Sequence, residues 1–269
     1  MKVILTTSRV ENLIFIKKEF EKANVIILEE PRNDLFHEVV EGKIDVDFYV
    51  RKIGTQFPVY TARKIEMLRN MRGKEILQIE PYLEEVEKIR NFSTGDEGVR
   101  EMERKVNKAH AEYTESFMID FDEIVEKYLN FARADAERIL MRDRMRAEAI
   151  KPADDLVVEA GIRHIKLAEL LDAEAVFIPG YIAGELGMEY RETPVDALMR
   201  ALICEEDCDY SLLAARSLIF ITLVEKREMV PDFEGDYPHF VHEQKLARFV
   251  SKLDYERCKK FFKRFWSHK

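Results

Sequence analysis

The opening stretch MKVILTTSRVENLIFIKKEFEKANVIIL, residues 1–28, decides the fold. Residues 2–7 and 25–28 are short runs rich in Val, Ile and Leu, each followed by polar or turn-forming residues, and the segment between them, 12–22, is amphipathic. That order reads as strand, helix, strand. Ser8 and Glu11 stand at the spacing of a capping box, which places the helix start there. A right-handed crossover makes two such strands parallel neighbours. It also brings loops 6–9 and 29–33 to the carboxyl edge of the sheet, where α/β proteins bind ligands.

The same rhythm recurs outward from this unit. A helix is predicted over 60–71 and stopped by Gly73, then a strand over 75–79, then a helix opening at Pro81. From 98 to 150 there is no Pro and no Gly beyond Gly98, and Glu, Lys, Arg, Ala and Met dominate, the composition of long helices. Asp120 and Glu123 cap a new helix after 117–119, so two antiparallel helices are expected, the second ended by Pro152. Residues 156–160 and 175–178 are two further buried strands around a helix at 164–171. After Pro179 a glycine-containing connection leads to Thr193-Pro194, an N-cap with proline at the first helical position, and helices follow near 195–204, 211–226 and 241–265.

The expected fold class is therefore α/β, a mainly parallel sheet flanked by helices. An α/β domain over 1–187 carries a long helical insertion at 98–150, and a helical C-terminal region covers 188–269, packed separately or as part of the same domain.

A chain of 269 residues that is 46% apolar can bury a sizeable core. Its 43 Lys and Arg stand against 52 Asp and Glu, and the resulting charge of -9 argues against general duplex binding by bulk electrostatics. Charged residues reach 35%, with only three Gln and seven Asn, a balance resembling heat-adapted proteins. Three cysteines, Cys204, Cys208 and Cys258, point to a reducing compartment. Arg9 and Glu11 interrupt the opening apolar run before a signal-peptide core is complete, and the most apolar later stretch, 211–224, contains Arg216 and is shorter than the roughly 20 residues that span a bilayer. A cytoplasmic protein with no membrane partner is expected.

The sheet-edge loops supply Thr6, Thr7, Ser8 and Arg9 from the first strand, Glu29, Glu30 and Arg32 from the second, Glu80 from the third, and Gly161 to His164 from the fourth. Acid, base and cation are all available there. The plainer alternative is that Ser8 and Glu11 only cap a helix, that Glu29 and Arg32 are solvated loop charges and that His164 is a structural histidine.

Four pieces of the chain carry a family resemblance. They are Thr6-Thr7-Ser8-Arg9-Val10 after the first strand, Ile27-Leu28-Glu29-Glu30 at the second, Arg142-Asp143-Arg144-Met145 late in a long helix, and Val157-Val158-Glu159-Ala160-Gly161-Ile162-Arg163-His164. Their order and placement over residues 1–178 resemble the TraB and Tiki family, within the erythromycin-esterase-like and ChaN-like group. In that family the first strand typically ends in Gly-Thr-x-His-Val, a later one in Gly-x-x-His, and an acidic residue follows the second. The resemblance implies a metallohydrolase-like site acting on an ester or amide of a small molecule or peptide. It assigns Arg9, Glu30, Arg142 and His164 to catalysis, and Glu29, Glu30 and His164 to a divalent ion such as Mn or Zn. Here the later turn survives as Gly161-Ile162-Arg163-His164, whereas Arg9 replaces the earlier histidine and Thr6 the glycine. A guanidinium is permanently charged and forks onto carboxylates, so Arg9 is expected to stand where a metal would and to pair with Glu29 or Glu30. If metal binds instead, His164 with Glu29, Glu30 or Glu80 supplies an N/O site.

Residues 245–269 hold nine Lys or Arg and two acids, with Phe249, Tyr255, Phe261, Phe262, Phe265 and Trp266 interleaved. Such a tail suits the alternative of a noncatalytic binding or regulatory protein that engages a nucleic acid or an acidic protein through it. It equally suits an amphipathic terminal helix whose aromatics dock on its own domain. Cys204 and Cys208 lie one helical turn apart without a second pair, and His239 and His242 stand by a helix start, so metal binding is a minor reading for both.

Overall fold

The computed structural model describes residues 1–118 and 120–266, with the side chains of Met118 and Trp266 outside it. Ile119, Ser267, His268 and Lys269, parts of the expected interhelix turn and of the basic tail, lie outside the described residues. Strands β1 (Lys2–Thr6) and β2 (Val25–Leu28) flank α1 (Leu13–Phe20). Helices α2 (Asp34–Val40), α3 (Val46–Ile53) and α4 (Pro58–Arg69) lead to β3 (Glu75–Gln78). Next come α5 (Pro81–Arg90), α6 (Glu97–Glu115) and α7 (Phe121–Ala149), then β4 (Leu156–Gly161), α8 (Ile165–Leu170) and β5 (Glu174–Phe177). The chain closes with α9 (Ile178–Glu185), α10 (Pro194–Ile203), α11 (Tyr210–Leu223), α12 (Pro238–Val250) and α13 (Tyr255–Trp266).

These elements form two compact units interleaved along the chain: residues 1–84, 143–190 and 225–241, and residues 85–142, 191–224 and 242–269. The first holds a five-stranded, all-parallel sheet in the order β3-β2-β4-β1-β5, as the α/β class requires. The expected pairing of β1 with β2 is overturned, because β4 lies between them, pairing Val3 with Val158 on one side and Ile26 with Val157 on the other. A right-handed crossover fixes that two strands are parallel but not that they touch, and β4 is apolar enough along its length to take the middle place.

The sheet has a core on each face. Ile4, Ile26, Leu28 and Val157 pack with Ile16 and Phe20 of α1 and Phe36 and Val39 of α2. Val3, Ile27, Val158 and Ala160 pack with Leu167 and Ala168 of α8. Thus β1 and β2 send the chain to one face and β4, between them, sends it to the other. This divergence opens a crevice at the carboxyl ends of the strands.

The expected capping box does not form. The turn after β1 enters a 3-10 segment, Val10–Asn12, whose N-cap is Arg9 and lacks a side-chain cap. Asn12 instead ties the turn together, its amide donating to Thr6 Oγ1 and to the oxygens of Thr7. Glu11 caps a distant helix, accepting from the backbone N–H groups of His239 and Phe240 at the start of α12. Glu228 does the same at the start of α4, taking the N–H groups of Val59 and Tyr60.

Two other expectations change. The predicted glycine-containing connection after Pro179 begins as helix α9, with Ile178, Pro179, Ile182 and Ala183 buried. The single helix predicted over 241–265 is two, because a turn at 251–254 separates α12 from α13. In the second unit, Thr193 caps α10 as expected, accepting from the Asp196 N–H. No helix among the described residues is long and apolar enough to cross a membrane.

Candidate functional site

The crevice gathers side chains from β2, β3, β4, α4, α7 and the turn after β4. Its centre is His164, which is 4% exposed and lies between two carboxylates. Nδ1 is 2.5 Å from Asp143 Oδ1, and Nε2 is 3.0 Å from Glu29 Oε1. The Gly161 N–H donates to the other oxygen of Glu29 at 2.5 Å. His164 reaches this position because Ile162 N–H bonds to Thr6 O and His164 N–H to Gly161 O, folding the turn back over the end of β1. Exposure grades outward along the line: Asp143 is fully buried, and the Glu29 side chain is 18% exposed.

Arg146 stands one helical turn beyond Asp143 on the same face of α7 and is fully buried. It donates to Glu159 O at 2.8 Å and Ile79 O at 3.2 Å, and lies 3.6 Å from Glu80 and 3.8 Å from Glu29. Its guanidinium thus staples the ends of β3 and β4 while offsetting two carboxylates. Beside it, on the α4 side of the sheet, Lys64 lies between Glu30 at 2.8 Å and Glu159 at 2.6 Å. Tyr60 donates to Glu159, and Gln78 donates to Glu30. Burial pulls the Lys64 ammonium towards neutrality, but the charges of Glu159 and Glu30 outweigh it and hold its pKa well above the usual lysine value. Burial likewise pushes Glu30 up, and Lys64 with Gln78 bring it below the usual carboxylate value. For the Tyr60 phenol, burial and the Glu159 charge act together and keep it protonated as a donor.

Among the residues predicted from sequence, Glu29, Glu30 and His164 do come to this edge. Arg146 lies 3.8 Å from Glu29 and Lys64 2.8 Å from Glu30, and the Arg9 guanidinium lies over the Phe57 ring, 5.7 Å from its centre. Arg142 falls in the second unit, and its neighbours Asp143 and Arg146 take the buried places at the crevice. Sequence reasoning missed Asp143 as a partner of His164, Arg146, Lys64, Tyr60 and Glu159. One signal was available: an acid and an arginine at i, i+3 near the end of α7.

The donor set does not fit a divalent ion. Both nitrogens of His164 face carboxylates, and the oxygens of Glu30 meet Lys64 and Gln78. A metal needs free lone pairs converging from at least three such groups, and no cluster of that kind exists among the described residues.

In the second unit Phe262 of α13 is buried against Phe121, whereas Phe261 meets Phe249, which is exposed. Lys259 pairs with Asp122, while Arg257, Lys260, Lys263 and Arg264 are exposed.

No family model matches this chain, and no solved structure does. A protein of the archaeon Archaeoglobus fulgidus, described as an uncharacterised protein, is 63% identical over 268 residues, covering 99% of each chain.

Proposed function

We propose that this chain, which belongs to the same family as the Archaeoglobus fulgidus protein, is a TraB- and Tiki-like hydrolase of an ester or amide bond. Its acid–base site is the line Asp143, His164, Glu29, working without a metal. The observation that carries this reading is the clamping of His164 between two carboxylates at the carboxyl edge of the sheet. Ionised carboxylates only accept hydrogen bonds, so an imidazole facing one on each side needs either both ring nitrogens protonated or a proton on one carboxyl. The line therefore holds a proton on the path to Glu29, its most exposed member.

In this mechanism Glu29 removes a proton from water as the water oxygen bonds to the substrate carbonyl carbon. The C–O or C–N bond then breaks, and the proton passes to the leaving atom. Asp143 positions the imidazole, and Arg146 holds Glu29 and Glu80 in place. Arg9, on the β1 loop, supplies the cation for charge developing on the carbonyl oxygen. Glu30 serves by anchoring Lys64.

A panel of nitrophenyl esters and amino-acid anilides tests this. Glu29→Gln and His164→Asn should each lower kcat/KM by about a hundredfold or more. Asp143→Asn should lower kcat and shift the pH profile while leaving KM near wild type. Equal rates in correctly folded Glu29→Gln and wild-type protein would overturn the proposal.

A further inference from the structure

At the carboxyl end of β3 a cleft of about 130 Å³ is lined by Arg32, His37, Leu77, Gln78 and Ile79. Arg32 belongs to the loop after β2 and His37 to α2, so two basic side chains meet over a partly apolar wall. Both are exposed. The backbone N–H of Arg32 donates to Glu84, but its guanidinium makes no ion pair or hydrogen bond among the described residues. Of the nearby acids, Glu30 is engaged with Lys64 and Gln78, Glu84 with the Arg32 backbone and Glu41 with Lys43, while Asp34 and Glu38 of α2 are exposed. The cleft is also built rather than incidental. The Gln78 amide donates to Glu30 and accepts from the Asn33 N–H, which pins the loop carrying Arg32 to the end of β3.

We infer that this cleft binds a small organic oxyanion, a carboxylate or phosphate head on a short apolar stem, with Arg32 forking onto the head and His37 donating beside it. A guanidinium matches two oxyanion oxygens at once, and Leu77 and Ile79 offer the stem an apolar wall. As a substrate subsite the inference rests on the hydrolase reading, and it adds a distance. The cleft is on β3 and the His164 turn follows β4, two strand spacings away, roughly 10 Å. The bond to be cut would then lie about that far from the anionic head.

The test reads binding, not turnover. The full-length protein is titrated with butyrate and, separately, with inorganic phosphate, following the His37 ring resonances by NMR. Saturable shifts with either probe, weakened about tenfold or more in Arg32→Gln and unchanged in Arg227→Gln, are the expected result. Butyrate alone would assign a carboxylate head, and phosphate alone a phosphate head. No saturable shift with either probe, or equal affinity in Arg32→Gln, would overturn the inference. Repeating the titration in Glu29→Gln separates the two ideas. Binding that persists there, with no hydrolysis in wild type, keeps the cleft and discards the hydrolase.

Discussion

Replacing Lys64 by Met removes an ammonium that bridges Glu30 and Glu159, with contacts of 2.8 Å and 2.6 Å. The two contacts are unequal in weight. The Glu30 side chain is 31% exposed, so its pair is screened and contributes about 1 kcal/mol at most. Glu159 is 5% exposed, and the variant leaves its carboxylate with Tyr60 as its hydrogen-bonding partner. Stripping one member from a buried pair costs roughly 3–5 kcal/mol, so a loss of about 4 kcal/mol is expected at neutral pH. Met preserves the apolar stem, which keeps a cavity from confusing the result. The double variant Lys64→Met with Glu159→Gln removes both buried charges and should recover about 2 kcal/mol of that loss. Urea unfolding with hydrogen exchange read at the β4 amides reports on this unit directly. The reasoning fails if Lys64→Met lies within about 1 kcal/mol of wild type, or if the double variant loses the sum of the two single losses. The pH dependence has a defined sign. The raised Lys64 pKa gives stability that is complete below the ordinary lysine value of 10.5 and is lost as pH climbs through the folded value. The lowered Glu30 pKa gives stability present above the ordinary 4.5 and lost as pH falls through the folded value. The difference between wild type and Lys64→Met should therefore be flat across the neutral range and shrink at both extremes.

Glu11→Ala should cost about 2 kcal/mol by urea unfolding, because it leaves the buried N–H groups of His239 and Phe240 without their acceptor; a loss under about 0.5 kcal/mol would refute that distant cap. Gly161→Ala should fold normally and change stability by less than about 1 kcal/mol, since an added Cβ would meet Glu29 and His164 at 3.5 Å, an ordinary contact; thermal unfolding reads it. Arg146→Met should destabilise by about 3–5 kcal/mol, because it takes a fully buried guanidinium from the backbone oxygens of Ile79 and Glu159 and from beside Glu80 and Glu29; calorimetry at neutral pH checks this.

The sequence made the sheet legible because its strands are short apolar runs bounded by turn residues, and β2 appears within the bounds expected for it. Helices α2 and α3 escaped notice although their signals are local: Asn33 and Asp45 cap them, and Gly54, at φ 65°, ends the second. Glycine spacing hid α9, whose stability comes from burying Ile178 and Ile182 rather than from helix propensity. At the site, Glu29, Glu30 and His164 were readable because parallel strands deliver their C-terminal loops to one edge. Lys64, Asp143 and Arg146 were not, because they come from helices. In a segment as charged as α7, only the packed helix shows that Asp143 and Arg146 are fully buried while Arg142 is partly so.

The central place of β4 also governs how the protein can be made. During synthesis β1 and β2 emerge early, yet the strand that joins them begins at Leu156. At about 5–20 residues per second, the gap of residues 29–155 keeps the ribosome busy for on the order of ten seconds. Throughout that interval the facing edges of β1 and β2 have no partner in the sheet. A nascent chain halted before Leu156 therefore leaves β1 unpaired on both sides and β2 on one, and truncation there should yield material that aggregates or is held by chaperones rather than a smaller folded domain.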